Sequence, residues 1–238
     1  MKICKDAGAS YVIITAKHHD GFCLWDTKST SQKSTNYTSK IDIVDRFCSS
    51  ARKHGLRVGI YYSWYEFEQT CTKKYMDSCV ELQIDELSKF KPDIWWFDGD
   101  WALTTKYAQN KAELLCNKLK LMNPNVEIND RIGLDPEKKK DINYLGNSTY
   151  RVYGDREIPS VQPLVKWEHV NTIGLSWGYN KEQTAFDYKS ADQLYAIYRK
   201  VIDKAGRFLI NIGPKADGTL DDTEVEIIKE FAQVLPSD

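Results

Sequence analysis

Short runs of β-branched and aromatic residues alternate with longer amphipathic stretches along this 238-residue chain, and few folds accommodate that pattern. The runs SYVIITA (10–16), LRVGIYY (56–62), DIWWF (93–97), NVEIN (125–129), a weaker one over 165–170 and RFLINI (207–212) read as six strands. Helical periodicity fills 41–54, 74–90, 105–122, 191–205 and 223–234, with His54-Gly55, Lys91-Pro92, Asn123-Pro124 and Ala205-Gly206 as stop signals. Strands apolar on both faces and separated by helices belong to a parallel sheet, because each crossover lays a helix against the sheet. The class is therefore α/β, and the expected architecture is a (β/α)8-like TIM barrel, with catalytic groups at the carboxyl ends of the strands. One domain over 1–238 is expected, although six strands leave the barrel two short. Segment 132–164 is charged, lacks periodicity and exceeds an ordinary connection, so an active-site loop is expected there.

Charge narrows the partner. With 33 basic and 34 acidic side chains the net charge is −1, leaving no basic excess to neutralise phosphates, so a nucleic-acid partner is not expected. No stretch of about 18 apolar residues is present, so neither is a membrane span. The N-terminal MKICKDAG lacks the apolar core of a secretion signal, and the chain as written reads as soluble, untargeted and cytoplasmic. Six cysteines form no CxxC pair and no zinc spacing and read as buried reduced thiols, with Cys71 and Cys79 as the one candidate exception. Two glycosylation sequons, at Asn36 and Asn147, are short enough to arise by chance. The seven Trp and 14 Tyr mostly serve the core and leave some for a stacking platform.

The chemistry gathers where strands end. In KPDIWWFDGDW (91–101), alternation puts Ile94, Trp96 and Asp98 on one face, and Gly99 then lets the backbone turn. Asp98 is thereby aimed inward among aromatics, which would desolvate it, whereas Asp100 lies in the following loop. The first strand ends in KHHDGF, whose neighbouring His18 and His19 line one pocket only if the backbone turns there. A metal set of His18, His19 and Asp20 is a minor alternative, since no further His or Cys completes it. Tyr61 and Arg131 end two other strands, and Arg131 serves either a ligand or a structural pair with Asp130. An acid ringed by His, Tyr, Trp and Arg suits a polyhydroxylated ring.

Taken in order, KHHDGF with CLWDT, GIYYS, WFDG, NDR, KWE, SWGY and LINIGP resemble the α-L-fucosidases of glycoside hydrolase family 29, over about residues 8–218. The resemblance implies a retaining exo-glycosidase that removes terminal L-fucose from glycans or glycoconjugates through a covalent intermediate, with no cofactor and no metal. It implies Asp98 as nucleophile, and His18, His19, Tyr61, Trp96, Arg131 and Trp177 as the fucose pocket. The general acid/base falls in the variable loop between NDR and KWE, which carries Asp135, Glu137, Asp141, Asp155 and Glu157. In GDREIP, Asp155 takes the acid's place and Glu157 is the near alternative. A retaining mechanism needs the two carboxyl groups about 5 Å apart.

Against the family, the chain is expected to lack the N-terminal barrel strands and the C-terminal β-sandwich, and so to supply strands three to eight. The alternatives are a catalytically impaired fucose-binding remnant and, behind it, a metal-dependent barrel hydrolase.

Overall fold

The computed structural model describes residues 1–37 and 40–236, which fall into two compact units, Ser10–Tyr150 and Met1–Ala9 with Arg151–Asp238. Thr38 of the first sequon lies outside the described residues.

In the Ser10–Tyr150 unit, four strands run β1 (Tyr11–Lys17), β2 (Arg57–Ser63), β3 (Ile94–Asp98) and β4 (Glu127–Ile128), paired in that order and all parallel. The connections are helical: α1 (Ile43–Lys53), then α2 (Lys73–Tyr75) and α3 (Glu81–Ser88) joined through a π-helical turn at Met76–Val80, and α4 (Lys106–Met122). The sequence starts these helices with side-chain caps, since Asp42 accepts from the Asp45 amide and Thr105 from that of Ala108. Buried Val44, Cys48 and Ala51 on α1, and Ala108, Ala112, Leu115 and Leu119 on α4, recur at helical spacing and give each helix its inner face. A short helix, α5 (Pro136–Lys139), follows β4.

The two faces of this sheet differ. Tyr61 registers with Trp96 and Ser63 with Asp98, while Tyr62 registers with Phe97. Trp64 and Trp95 stack on Phe97 at 4.3 and 5.5 Å between centroids, so the Tyr62–Phe97 face is packed aromatic core.

The second unit holds a parallel sheet of β5 (Arg151–Val152), β6 (Trp167–Thr172) and β7 (Arg207–Asn211). Helices α6 (Ala191–Ile202) and α7 (Asp222–Val234) pack on it through Leu194, Ile228 and Phe231, joined by Phe208 and Ile210 of β7 and by Ile3. Ile3 belongs to an N-terminal helical turn, Lys2–Asp6.

The sequence-read strands stand within about two residues of those observed. The count of six is corrected to seven among the described residues, because segment 132–164 contains β5. Two residues are too few to print a period, and β5 exists because Arg151 and Val152 pair with Trp167 and Glu168, which is tertiary information. Among the described residues, no helix is long and apolar enough to cross a membrane. The suggested Cys71–Cys79 exception is also corrected: all six cysteines are free, and burial pushes the Cys71 thiol up to about 11.

Candidate active site

The first strand ends in a bulge. Thr15 registers with Tyr61 but Lys17 with Tyr62, so one extra residue shifts Lys17 onto the aromatic core face. There its fully buried ammonium is met by Glu66 Oε1 at 2.7 Å and by the Tyr75 and Tyr62 hydroxyls at 2.9 and 3.2 Å. A buried cation is tolerated only with partners of this kind. The chain then turns, with the Gly21 amide donating to the His18 carbonyl at 3.1 Å. This is the turn that the two adjacent histidines required. His18 lies parallel to Tyr61 at 5.4 Å between rings, and His19 lies 4.1 Å from His18.

Asp98, 7 % exposed, ends β3 as the centre of the cluster. Tyr61 Oη donates to Oδ2 at 2.7 Å and Arg131 Nη1 donates to Oδ1 at 2.8 Å, so both oxygens are oriented. Burial by itself would raise the Asp98 pKa, but the Arg131 charge, with hydrogen bonds from Tyr61, Arg131 and the Gly99 amide, outweighs it and holds the carboxyl below its ordinary value. Arg131 is itself fixed: its guanidinium lies 4.8 Å above the Trp96 ring and its carbonyl accepts from Trp64 Nε1 at 2.9 Å. Trp96 in turn stacks on Tyr61 at 5.4 Å. Asp130 sits 3.5 Å from Lys139, and the Arg131 guanidinium is directed to Asp98.

Ser63 was not singled out in the sequence. Its hydroxyl donates to the Tyr65 carbonyl at 2.6 Å, so at 2.7 Å it accepts from His19 Nδ1–H. That leaves the lone pair of His19 on Nε2, 3.7 Å from Asp98 Oδ2. Burial first, then the neighbouring His18, lower the His19 pKa, which favours the neutral ring whose Nε2 can accept a hydroxyl hydrogen. The register of Ser63 with Asp98 is the only trace of this role, and it exists only once strands pair.

Gly99 has φ +76°, and a side chain there would come within 2.7 Å of Tyr65 Cβ. The turn it permits carries Asp100 away into Asp100–Ala102, where Lys139 lies 3.5 Å off. Burial raises the Asp100 pKa despite that ammonium.

Among the described residues, His18, His19 and Asp98, with ligand atoms within 4.8 Å of one another, are the group that a cation would find; Asp20 is instead exposed and accepts from the Phe22 amide. The set suits a cation poorly, because the Arg131 guanidinium already occupies one Asp98 oxygen.

Six of the nine residues read from sequence, His18, His19, Tyr61, Trp96, Asp98 and Arg131, thus converge in one unit. Asp155, Glu157 and Trp177 belong to the other. There Asp155 and Glu157 are exposed, and Glu157 folds its carboxylate over Gly154. The intervening Arg156, at φ +63°, spans from the Thr172 hydroxyl (3.1 Å) and Leu175 carbonyl (2.8 Å) to a position 4.8 Å over the Trp177 ring. Buried His169 pins this loop, donating from Nδ1 to the Glu157 carbonyl at 2.7 Å while Nε2 accepts from Asn171 at 3.1 Å. His169 lies in the stretch 165–170 that reads from sequence only as a weak strand, and nothing local to it points to this tether.

A family model for alpha-L-fucosidase matches residues 1–237. The alpha-L-fucosidase of Dictyostelium discoideum is 30% identical over 254 residues, covering 98% of this chain and 52% of its own. Human tissue alpha-L-fucosidase is 28% identical and is covered over 47% of its length. This chain therefore spans about half the length of the curated relatives it matches. Among solved structures, the Thermotoga maritima alpha-fucosidase in complex with fucose superposes with a TM-score of 0.83 at 31% identity, over 98% of this chain and 54% of that one. Both the parallel α/β fold and the sequence thus lead to one group of proteins, and this chain belongs to the alpha-L-fucosidase family.

Proposed function

We propose that this chain hydrolyses terminal α-L-fucosyl linkages of glycans or glycoconjugates with retention of configuration. The observation that carries the reading is Asp98: a buried carboxylate kept ionised by Arg131 and oriented by Tyr61, flanked by Trp96 and two histidines. An ionised oxygen held in place is what attack on an anomeric carbon demands, and the aromatic faces beside it suit the apolar side of a sugar.

In this mechanism Asp98 attacks the anomeric carbon while a carboxylic acid protonates the departing oxygen, and water then cleaves the fucosyl ester with the same acid acting as base. His18, His19 and Arg131 are the proposed partners of fucose hydroxyls, Trp96 is the proposed aromatic wall beside them, and Trp177 is a sugar contact on the family resemblance. Asp155 is the proposed acid/base and Glu157 its rival, both on the loop that His169 tethers. No cofactor enters the scheme. The (β/α)8-type barrel is part of the same proposal, supported by the exclusively parallel pairing in each sheet.

The test is hydrolysis of a chromogenic α-L-fucoside, with NMR identifying the anomer of fucose released first. Release of α-L-fucose supports the reading, and β-L-fucose excludes retention. No turnover beside measurable L-fucose binding would establish the binding remnant instead, and activity abolished by a chelator would favour the metal-dependent hydrolase.

A further inference from the structure

Two large aromatic rings beside His19, whose Nε2 lies 3.7 Å from Asp98, are left outside the scheme above. Trp101 is 57% exposed and Phe67 68% exposed, whereas Trp96 is only 5% exposed. They are not scattered singly. Trp101 meets the His19 ring edge-on at 5.4 Å, Phe67 meets it edge-on at 6.1 Å, and Tyr65 lies 6.2 and 6.0 Å from Trp101 and Phe67. Each is anchored through its backbone. The Phe67 amide donates to the His19 carbonyl at 2.7 Å, and Trp101 sits in the turn that the left-handed Gly99 starts, with the Ala102 amide donating to the Gly99 carbonyl at 3.1 Å. A contiguous, rigidly mounted patch of exposed rings marks a binding surface.

We propose that Trp101 and Phe67 form the platform for the leaving group, a pyranose or other flat ring to which fucose is attached, and so set aglycone preference. The proposal rests on the fucosidase reading and adds its second subsite. An exo-acting enzyme encloses the terminal sugar and lets the remainder project outward. The gradient of exposure runs the same way, from Asp98 and Trp96 inside, across His19, to Trp101 and Phe67 at the mouth. Sugars present flat C–H faces, for which an exposed indole or phenyl ring is a natural support.

The experiment compares two substrates on Trp101→Ala, Phe67→Ala and Trp101→Phe: α-L-fucosyl fluoride, which has no sugar leaving group, and a disaccharide of fucose α-linked to a hexose. The expected result is a fall of about tenfold in kcat/KM for the disaccharide with either alanine variant, while fluoride turnover changes by less than about twofold, and Trp101→Phe recovers most of the loss. Equal losses on both substrates would assign the rings to the fucose pocket or to folding and overturn the proposal. Unchanged disaccharide kinetics would overturn it as well. Wild-type chain that turns over neither substrate fails the fucosidase reading itself, and the proposal falls with it.

Discussion

Tyr61 donates its hydroxyl to Asp98 across two neighbouring strands, although it registers with Trp96, two residues before Asp98. The side chain must lean along the strand direction to make that 2.7 Å bond, and the Trp96 ring stacked beneath it holds the lean. A residue of the proposed sugar pocket thereby also tunes the proposed nucleophile.

Replacing Asp98 by glycine removes the proposed nucleophile, and turnover is expected to fall on the order of a thousandfold or more. Azide at high concentration should restore it with a β-fucosyl azide product, because azide then attacks from the side that the carboxylate vacated. Asp100→Asn should keep most activity, since Asp100 faces Lys139. Equal damage from both changes would remove the case for Asp98. The same rescue giving an α-configured product, applied to Asp155 and Glu157 variants, identifies the acid/base.

Tyr61→Phe deletes a hydrogen bond to a charged acceptor, worth about 1.5–3 kcal/mol. Because the hydroxyl helps hold the Asp98 pKa down, its loss must raise that pKa, and the acidic limb of the kcat/KM profile should move to higher pH. Arg131→Gln should move it further, as the Arg131 charge is the largest influence lowering it. A pH profile unmoved in both variants would show that Asp98 does not govern that limb.

Lys17→Met leaves the Glu66 carboxylate without its cation in a largely buried site, while the Tyr75 and Tyr62 hydroxyls still donate to Glu66 and Gln83. Breaking one partner of a buried ion pair costs about 3–5 kcal/mol. Denaturant unfolding of Lys17→Met, Glu66→Gln and the double variant should show the double losing less than the sum of the singles.

Burial lowers the pKa of His169, whose Nε2 must stay unprotonated to accept from Asn171. The unfolded chain therefore binds a proton first as pH falls through about 6.5, so stability is complete above that value and declines below it until the folded pKa is reached. His169→Gln should flatten this part of the dependence of thermal midpoint on pH. It should also lower kcat more than it raises KM, if the Glu157 tether positions the acid/base.

Much of the sheet was legible from residues 10–16, 56–62 and 93–97, because these are short runs rich in β-branched and aromatic residues and the helices between them carry their own caps. Asp98 was legible for the opposite reason: a carboxylate behind four apolar residues and before a glycine breaks the local rule. β5 was not, since a two-residue strand has no period and is defined only by its partner.

The sequence alone determined the α/β class, the inward aim of Asp98 and the turn at Gly99, all of which follow from side-chain period and the steric freedom of single residues. Tertiary structure decided which groups Asp98 meets. The bulge that carries Lys17 away from His18 and His19, the commitment of Arg131 to Asp98, and the Ser63 hydroxyl that sets the His19 tautomer all depend on strand register. Register is a property of paired strands, so no single stretch of chain contains it.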